Sequence, residues 1–333
     1  MKQLFIGGIN RGNQPRGGEE YKNQLLIKKI ENSTIIDTHR WLQNPLVWVK
    51  LIFNLFFKRW DNILFSTSSL STFRLLRIID ILKPSILKKI TYLVIGGYFP
   101  EAIRVKRYKW EYYKKLKNVI VEGEILKLDL LNHTELKNVK VIPNFKDFPI
   151  LEKLQDEPKS CFSFVYIGRI SKSKGIKEII EAANELQKTG LEFSIDFFGQ
   201  LEEDFDYSET LIEYKGFLDF QKRGKESYEI ISNYNCMLFP TYWQGEGFPG
   251  VIIDAFIAGL PVIGSDWNMN RELIEEGVNG FIIPAKSTEA LYEKMKFVIN
   301  NENILNEIRF NNLLKAKNYH IDAVYIQLKE ALI

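Results

Sequence analysis

Short apolar runs bounded by turn residues alternate along the chain with stretches whose apolar residues recur at helical spacing. The runs predict strands at 3–9, 34–36, 63–66, 90–95, 119–122 and 139–142. After a polar stretch at 146–160, further strands are predicted from Phe162 and at 193–198, 212–217, 236–239 and 261–263. Strand-then-helix alternation argues for parallel sheets covered on both faces. The most informative stretch, 235–265, reads NCMLFPTYWQGEGFPGVIIDAFIAGLPVIGS: a strand, a turn-rich loop, a helix over about 250–258 that ends at Gly259, and a second strand. In that loop Gly245, Gly247 and Gly250 allow close backbone approach, and the helix starts with unpaired amides at the positive end of its dipole. An anion fits there. Glu246 and Asp254 frame the helix start. Carboxylates aimed at a phosphate would repel it, so the pair reads as hydroxyl acceptors beside the phosphate, which describes a nucleotide sugar. The simpler reading is two acids that cap a helix.

Three other stretches carry candidate chemistry. Gly17 and Gly18 open a helix with apolar positions Leu25, Leu26, Ile27 and Ile30, which is either a second loop-to-helix anion site or a plain turn. The glycines lack G-x-G-x-x-G spacing, although Asp37 stands where a ribose ligand could. Within 41–60, WLQNPLVWVKLIFNLFFKRW, the apolar run 46–57 is too short to span a bilayer and is interrupted by Lys50 and Asn54. It reads equally as a core helix or as an interfacial helix on an anionic membrane surface, with Lys58, Arg59 and Trp60 at its end. Residues 104–119, RVKRYKWEYYKKLKNV, mix cations with aromatics; no nucleic-acid motif surrounds them, so a solvated or membrane-facing helix is expected.

Composition refines this picture. The chain has 333 residues, enough for two domains. Its net charge of +3 hides a division: residues 1–150 carry 26 Lys and Arg against 13 Asp and Glu, the rest 19 against 29. The basic half suits an anionic membrane surface or nucleic acid. Cys161 and Cys236 are the two cysteines and read as small buried hydrophobes without metal-ligand spacing. The opening MKQLFIGGIN is too short an apolar run for a signal peptide, so a cytoplasmic location is expected. Asp204 and Asp206 form a D-x-D string, which elsewhere binds a divalent metal, but it falls in the acidic loop EEDFD and reads as solvated.

The blocks FVYIGRISKSKGIKEIIEAA at 164–183, E-G-F-(x5)-D with A-x-x-A-G-L-P-V-I-x-S-D, and EGVNGFIIPA at 276–285 together resemble the retaining glycosyltransferases of family 4, glycosyl transferases group 1. The resemblance is specific over roughly 160–300 and looser before it; VIPNF at 141–145 resembles the turn that closes the family's N-terminal domain. It implies an α/β chain of the GT-B class, two Rossmann-like parallel-sheet domains facing a cleft. Residues 1–150 would be the acceptor-binding domain, joined by a C-terminal helix at about 315–333, and 160–315 the nucleotide-sugar domain. Two departures stand out: Asp254 replaces the usual Glu, and Pro249 replaces a residue with a backbone N–H.

By the same resemblance, Arg169 and Lys174 are the donor-phosphate cations, and their removal is expected to lower turnover without unfolding the protein. Glu246 would bind the transferred sugar and Asp254 the ribose. Gly17, Gly18, Gly168, Gly199, Gly216, Phe217, Gly247, Phe248, Gly250 and Val251 complete the implied donor site. Catalysis would rest on Glu246, Arg169 and Lys174, with no metal and no cofactor. Since His39, His133 and His320 all fall outside the family's position near 96–99, no acid-base histidine is assigned. The implied reaction moves a hexose, with retention, from a nucleotide-diphosphate sugar, UDP favoured, to a lipid-linked saccharide at the inner membrane face in capsular, O-antigen or exopolysaccharide synthesis. A non-catalytic nucleotide-sugar-binding subunit and an NAD-linked enzyme are the alternatives.

Overall fold

The computed structural model describes residues 2–10, 12–13, 17–30, 32–39, 41–149, 161–203, 205, 211–220, 222 and 224–332. Asp204, Asp206 and most of the expected linker at 146–160 lie outside the described residues. The chain divides into two compact units, 1–147 with 321–333, and 148–320.

Unit 1 holds a six-stranded sheet of β1 (Gln3–Gly7), β2 (Ser33–Asp37), β3 (Asn62–Ser66), β4 (Ile90–Leu93), β5 (Asn118–Val121) and β6 (Val139–Val141), in the order β2-β1-β3-β4-β5-β6. Every pairing is parallel. β3 and β5 are buried at every position, as strands covered on both faces require. The helix Ile321–Leu332 belongs to this unit: Ile321, Val324, Leu328 and Ala331 repeat at helical spacing and join Phe5, Leu25, Leu26, Ile120 and Phe145 in one core cluster. Lys29 pairs with Asp322, and Asn118 Nδ2 donates to the Ala331 carbonyl at 2.7 Å.

Unit 2 holds β7 (Phe162–Ile167), β8 (Phe193–Phe198), β9 (Ile212–Tyr214), β10 (Cys236–Phe239), β11 (Val262–Ser265) and β12 (Gly280–Ile283), ordered β12-β11-β10-β7-β8-β9 and also parallel throughout. Its core is one cluster built from β7, β8 and β10 with the helices Ile176–Gln187 and Thr288–Asn300. On the first of these, Ile176, Ile179, Ile180, Ala183 and Leu186 are buried; on the second, Ser287 Oγ caps the start by accepting from the Ala290 amide at 3.1 Å. Cys236 is buried, whereas Cys161 is half-exposed, at the foot of β7 rather than inside it.

The stretch 104–119 departs from expectation. It is not one solvated helix: the helix Tyr98–Arg104 ends, Lys106 takes a positive φ of 57°, and a short helix Trp110–Lys114 follows. Tyr108 and Tyr113 are buried; the Tyr113 ring packs on Phe99 and Tyr92. Two of its four aromatics, Tyr108 and Tyr113, are core, Trp110 and Tyr112 are half-buried, and its cations from Arg104 to Lys115 are exposed. The expected strand over 212–217 ends at Tyr214 because Gly216, at φ 81°, turns the chain.

In unit 2 the backbone of Gly199 lies hard against Gly168, where an added Cβ would lie 1.6 Å from the Gly168 carbonyl oxygen. Gly199→Ala is therefore expected to prevent native packing of unit 2. Gly17→Ala, where a Cβ meets nothing within 4 Å, should leave stability within about 0.5 kcal/mol. Urea denaturation of the two variants checks both outcomes.

Candidate functional site

The order of the unit 2 sheet reverses between β7 and β10, and open parallel sheets bind ligands outside the carboxyl ends of strands at such a point. The loops that leave these two strands carry the sequence-predicted residues. Three glycines stitch the strand ends together: the Gly168 amide donates to the Phe198 carbonyl at 2.9 Å and the Gly199 amide to the Gly216 carbonyl at 2.8 Å. Gly168, Gly199 and Gly216 thus form one ladder across the ends of β7, β8 and β9. Phe217, next along, is exposed.

After Gly168 come Arg169, a 3-10 turn Lys172–Lys174, and Gly175 in left-handed conformation at φ 81° opening the helix Ile176–Gln187. A Cβ at Gly175 would fall 2.4 Å from the Pro240 carbonyl, so the loop after β7 presses on the loop after β10. The Tyr242 amide donates to the Ser173 carbonyl at 2.9 Å across that contact. At its centre Lys174 Nζ pairs with Glu246, both buried, and Thr241 Oγ1 donates to the same carboxylate at 3.1 Å. Asn268 Nδ2 donates to the Glu246 carbonyl at 2.7 Å, and Trp267 Nε1 to the Trp243 carbonyl at 2.8 Å.

The two candidate cations differ in kind. Arg169 pairs with Glu202 at 3.2 Å in the open, with side chains 42% and 35% accessible, a contact worth about 0–1 kcal/mol. It can leave for a ligand at little cost. Lys174 is locked into a buried pair, so its removal also strands a buried carboxylate, a change that typically costs about 3–5 kcal/mol. Both cations lie over one indole, the Arg169 Cζ and the Lys174 Nζ each 4.6 Å from the Trp243 ring centre. Sequence reasoning missed Trp243. Its signal was there, an aromatic three residues before the acid, but nothing in the spacing says which cation an indole meets.

The helix Gly250–Ile257 starts after Pro249 with no acid in its first turn and no side-chain cap, which leaves the Gly250 and Val251 amides toward an anion. Phe248 is buried against Tyr319, rings 5.7 Å apart, so its main chain rather than its ring is what a ligand could meet. Asp254 is buried too, and its Oδ1 accepts from the Tyr228 hydroxyl at 3.1 Å. Tyr228, on the helix Lys225–Ser232, is a second partner that the sequence did not reveal. Among the described residues no three His, Cys, Asp or Glu converge as metal ligands.

Gly17 and Gly18 lie in unit 1, at the open start of the helix Gly18–Lys29. Asp37, considered as a ribose ligand, instead holds its own loop: its Oδ1 accepts from the amides of Ile9 at 2.9 Å and His39 at 2.9 Å. Glu20 pairs with His39 at 2.9 Å and accepts from Asn10 Nδ2 at 3.1 Å. Burial, reinforced by the Glu20 charge and opposed by Lys22, pushes the Glu19 carboxyl up to about 7.

With this geometry in view, the family described as Glycosyl transferases group 1 matches residues 147–313. The chain belongs to that family. Among curated relatives, this group 1 chain is 28% identical over 160 residues to the capsular polysaccharide biosynthesis glycosyltransferase CapM of Staphylococcus aureus, covering 47% of this chain and 42% of that one. It is 28% identical over 172 residues to the GtfA subunit of the UDP-N-acetylglucosamine–peptide N-acetylglucosaminyltransferase of Streptococcus pneumoniae, covering 50% and 33%. It thus matches less than half the length of either. The Anabaena protein HepE, solved in complex with UDP, superposes with a TM-score of 0.71 over 100% of this chain and 99% of that one at 16% identity, a likeness of fold. The two six-stranded parallel sheets are those of GT-B glycosyltransferases.

Two outcomes follow for this group 1 chain. Lys174→Met should lower unfolding free energy by about 3–5 kcal/mol, and Lys174→Met with Glu246→Gln should regain much of it, both read by urea denaturation. Glu19, raised above its unfolded value of 4.5 to about 7, stabilises the fold fully below pH 4.5, a contribution lost as pH rises to about 7. Glu19→Gln should then match the parent near pH 4.5 and exceed it at pH 8 by up to about 3 kcal/mol. Thermal unfolding across pH tests this.

Proposed function

We propose that the protein transfers a hexose from a UDP-sugar to a lipid-linked saccharide in the synthesis of a capsular, O-antigen or exopolysaccharide. The observation that carries this reading is the convergence of Arg169, Lys174, Trp243 and Glu246 at the reversal point of the unit 2 sheet, beside the acid-free start of the helix Gly250–Ile257. A leaving diphosphate needs its developing charge stabilised, and two cations with a helix start supply that. HepE's complexes with UDP and with UDP-glucose favour uridine, and CapM's capsular role favours a polysaccharide product.

In this reading unit 2 binds the donor. Arg169 offers two donors to the diphosphate and Lys174 a point charge. Glu246 takes hydroxyls of the transferred sugar and Asp254 those of the ribose. The bond from the anomeric carbon to the β-phosphate oxygen breaks while the bond to the acceptor oxygen forms on the same face. The acceptor proton passes to an oxygen of the departing diphosphate, so UDP is the second product and no carboxylate serves as nucleophile. The cations do the work a metal would otherwise do, and the reaction is metal-independent. Unit 1 binds the acceptor, and the loop that holds Gly17 and Gly18 belongs to that unit.

Calorimetric titration with UDP, GDP and ADP in chelator tests the donor assignment. UDP should bind most tightly, and Arg169→Ala should abolish that binding and lower turnover about 100- to 1000-fold. Binding restored only by manganese would overturn metal independence. If no nucleotide binds, the catalytic reading fails.

A further inference from the structure

The helix Pro45–Ile52 and the wider turn Phe53–Phe57 that continues it present two different faces. On one, Leu51, Leu55 and Trp60 are buried, and Trp41 stacks on Trp48 at 4.5 Å. Sequence reasoning left this run as either core or membrane-docking; one of its faces is core. On the other face, Leu46 is 69% exposed, Val49 63%, Phe53 52% and Phe57 75%, with Ile52 also exposed. These residues follow helical spacing, so they form one continuous stripe rather than scattered contacts. The Phe53 and Phe57 rings stack at 6.0 Å within it. Lys50 lies on the stripe, Lys58 stands 5.6 Å over the Phe53 ring, and Arg59 follows, all exposed. Residues 41–60 contain no acid.

The platform is held from behind. Asn44 accepts from the Leu46 amide at 3.1 Å and Pro45 occupies the first helical position. At the far end Lys83 Nζ donates to the Phe56 carbonyl at 2.7 Å, and Trp60 Nε1 to the Asn54 carbonyl at 2.7 Å. A stripe fixed in this way docks without paying to order itself. Two occupants could cover it. A second copy meeting it about a two-fold axis would lay one acid-free, cation-bearing stripe on another, so Lys50, Lys58 and Arg59 would find no carboxylate there. An anionic lipid surface takes the apolar side chains at the acyl boundary and the cations at the headgroups.

We infer that unit 1 docks on an anionic bilayer through the stripe Leu46, Val49, Phe53 and Phe57, with Lys50, Lys58 and Arg59 at the headgroups. No described helix is long and apolar enough to cross a membrane, so the contact is interfacial. The assignment does not depend on the transfer reaction.

Flotation of the full chain with phosphatidylglycerol–phosphatidylethanolamine vesicles and with phosphatidylcholine vesicles tests it, with no nucleotide present. Recovery should favour anionic vesicles on the order of a hundredfold at low salt, because each cation adds about fivefold, and the preference should collapse at high salt. Phe53→Glu with Phe57→Glu should cut recovery at least about tenfold, and Lys50→Gln with Lys58→Gln should remove mainly the anionic preference. Calorimetric UDP binding by the same variants separates a failed surface from a failed fold or a failed donor site. Equal flotation of the double glutamate variant overturns the inference. So does a lipid-free dimer that those glutamates dissolve, which would give the face to a second copy.

Discussion

The buried pair of Lys174 and Glu246 is the contact on which the unit 2 site depends. It joins the loops that leave β7 and β10, the two strands between which the sheet reverses. Gly175 against Pro240 and Tyr242 on Ser173 bring those loops close enough for it to form. Thr241 and the Asn268 amide then hold the carboxylate and its own carbonyl from the far side. A buried charge pair adds little net stability over an apolar substitute, but each member is costly to leave alone. The pair therefore acts as a registration device: it fixes where the acid-free helix start stands relative to the cations, and Trp243, touching both cations, belongs to the same arrangement.

Much of the fold is legible in the sequence because parallel strands buried on both faces leave an unmistakable trace. Cys236–Phe239 and Phe193–Phe198 stand where their apolar runs put them. Strand ends are less legible: Gly216 cut one run short, and β11 starts at Val262 and extends to Ser265. The stretch 104–119 misled for a definite reason. Periodicity registers that tyrosines and lysines alternate, but not that Tyr113 fits among Tyr92 and Phe99 while its neighbours face water.

For the site, the glycines and charged residues could be named in advance because backbone approach and charge limit residue choice. Their partners could not. That Glu246 meets Lys174, 72 positions away in sequence, or that Asp254 meets Tyr228, depends on how loops cross, which no local pattern encodes. Asp37 shows why a strand-end acid is ambiguous in sequence: it resembles a ligand for hydroxyls, while its Oδ1 accepts from the amides of Ile9 and His39.

The closing helix of unit 1 sets an order of events during synthesis. Ile321–Leu332 covers Phe5, Leu25, Leu26, Ile120 and Phe145, yet the ribosome makes it after the whole of unit 2. At ordinary elongation rates that interval is roughly ten to thirty seconds. During it the nascent first unit carries an uncovered apolar surface, while unit 2 has all its own elements in one continuous segment. A helix made after unit 2 is thus the latch of the unit made before it, and a chain stalled or clipped ahead of that helix would display the uncovered surface to chaperones and proteases.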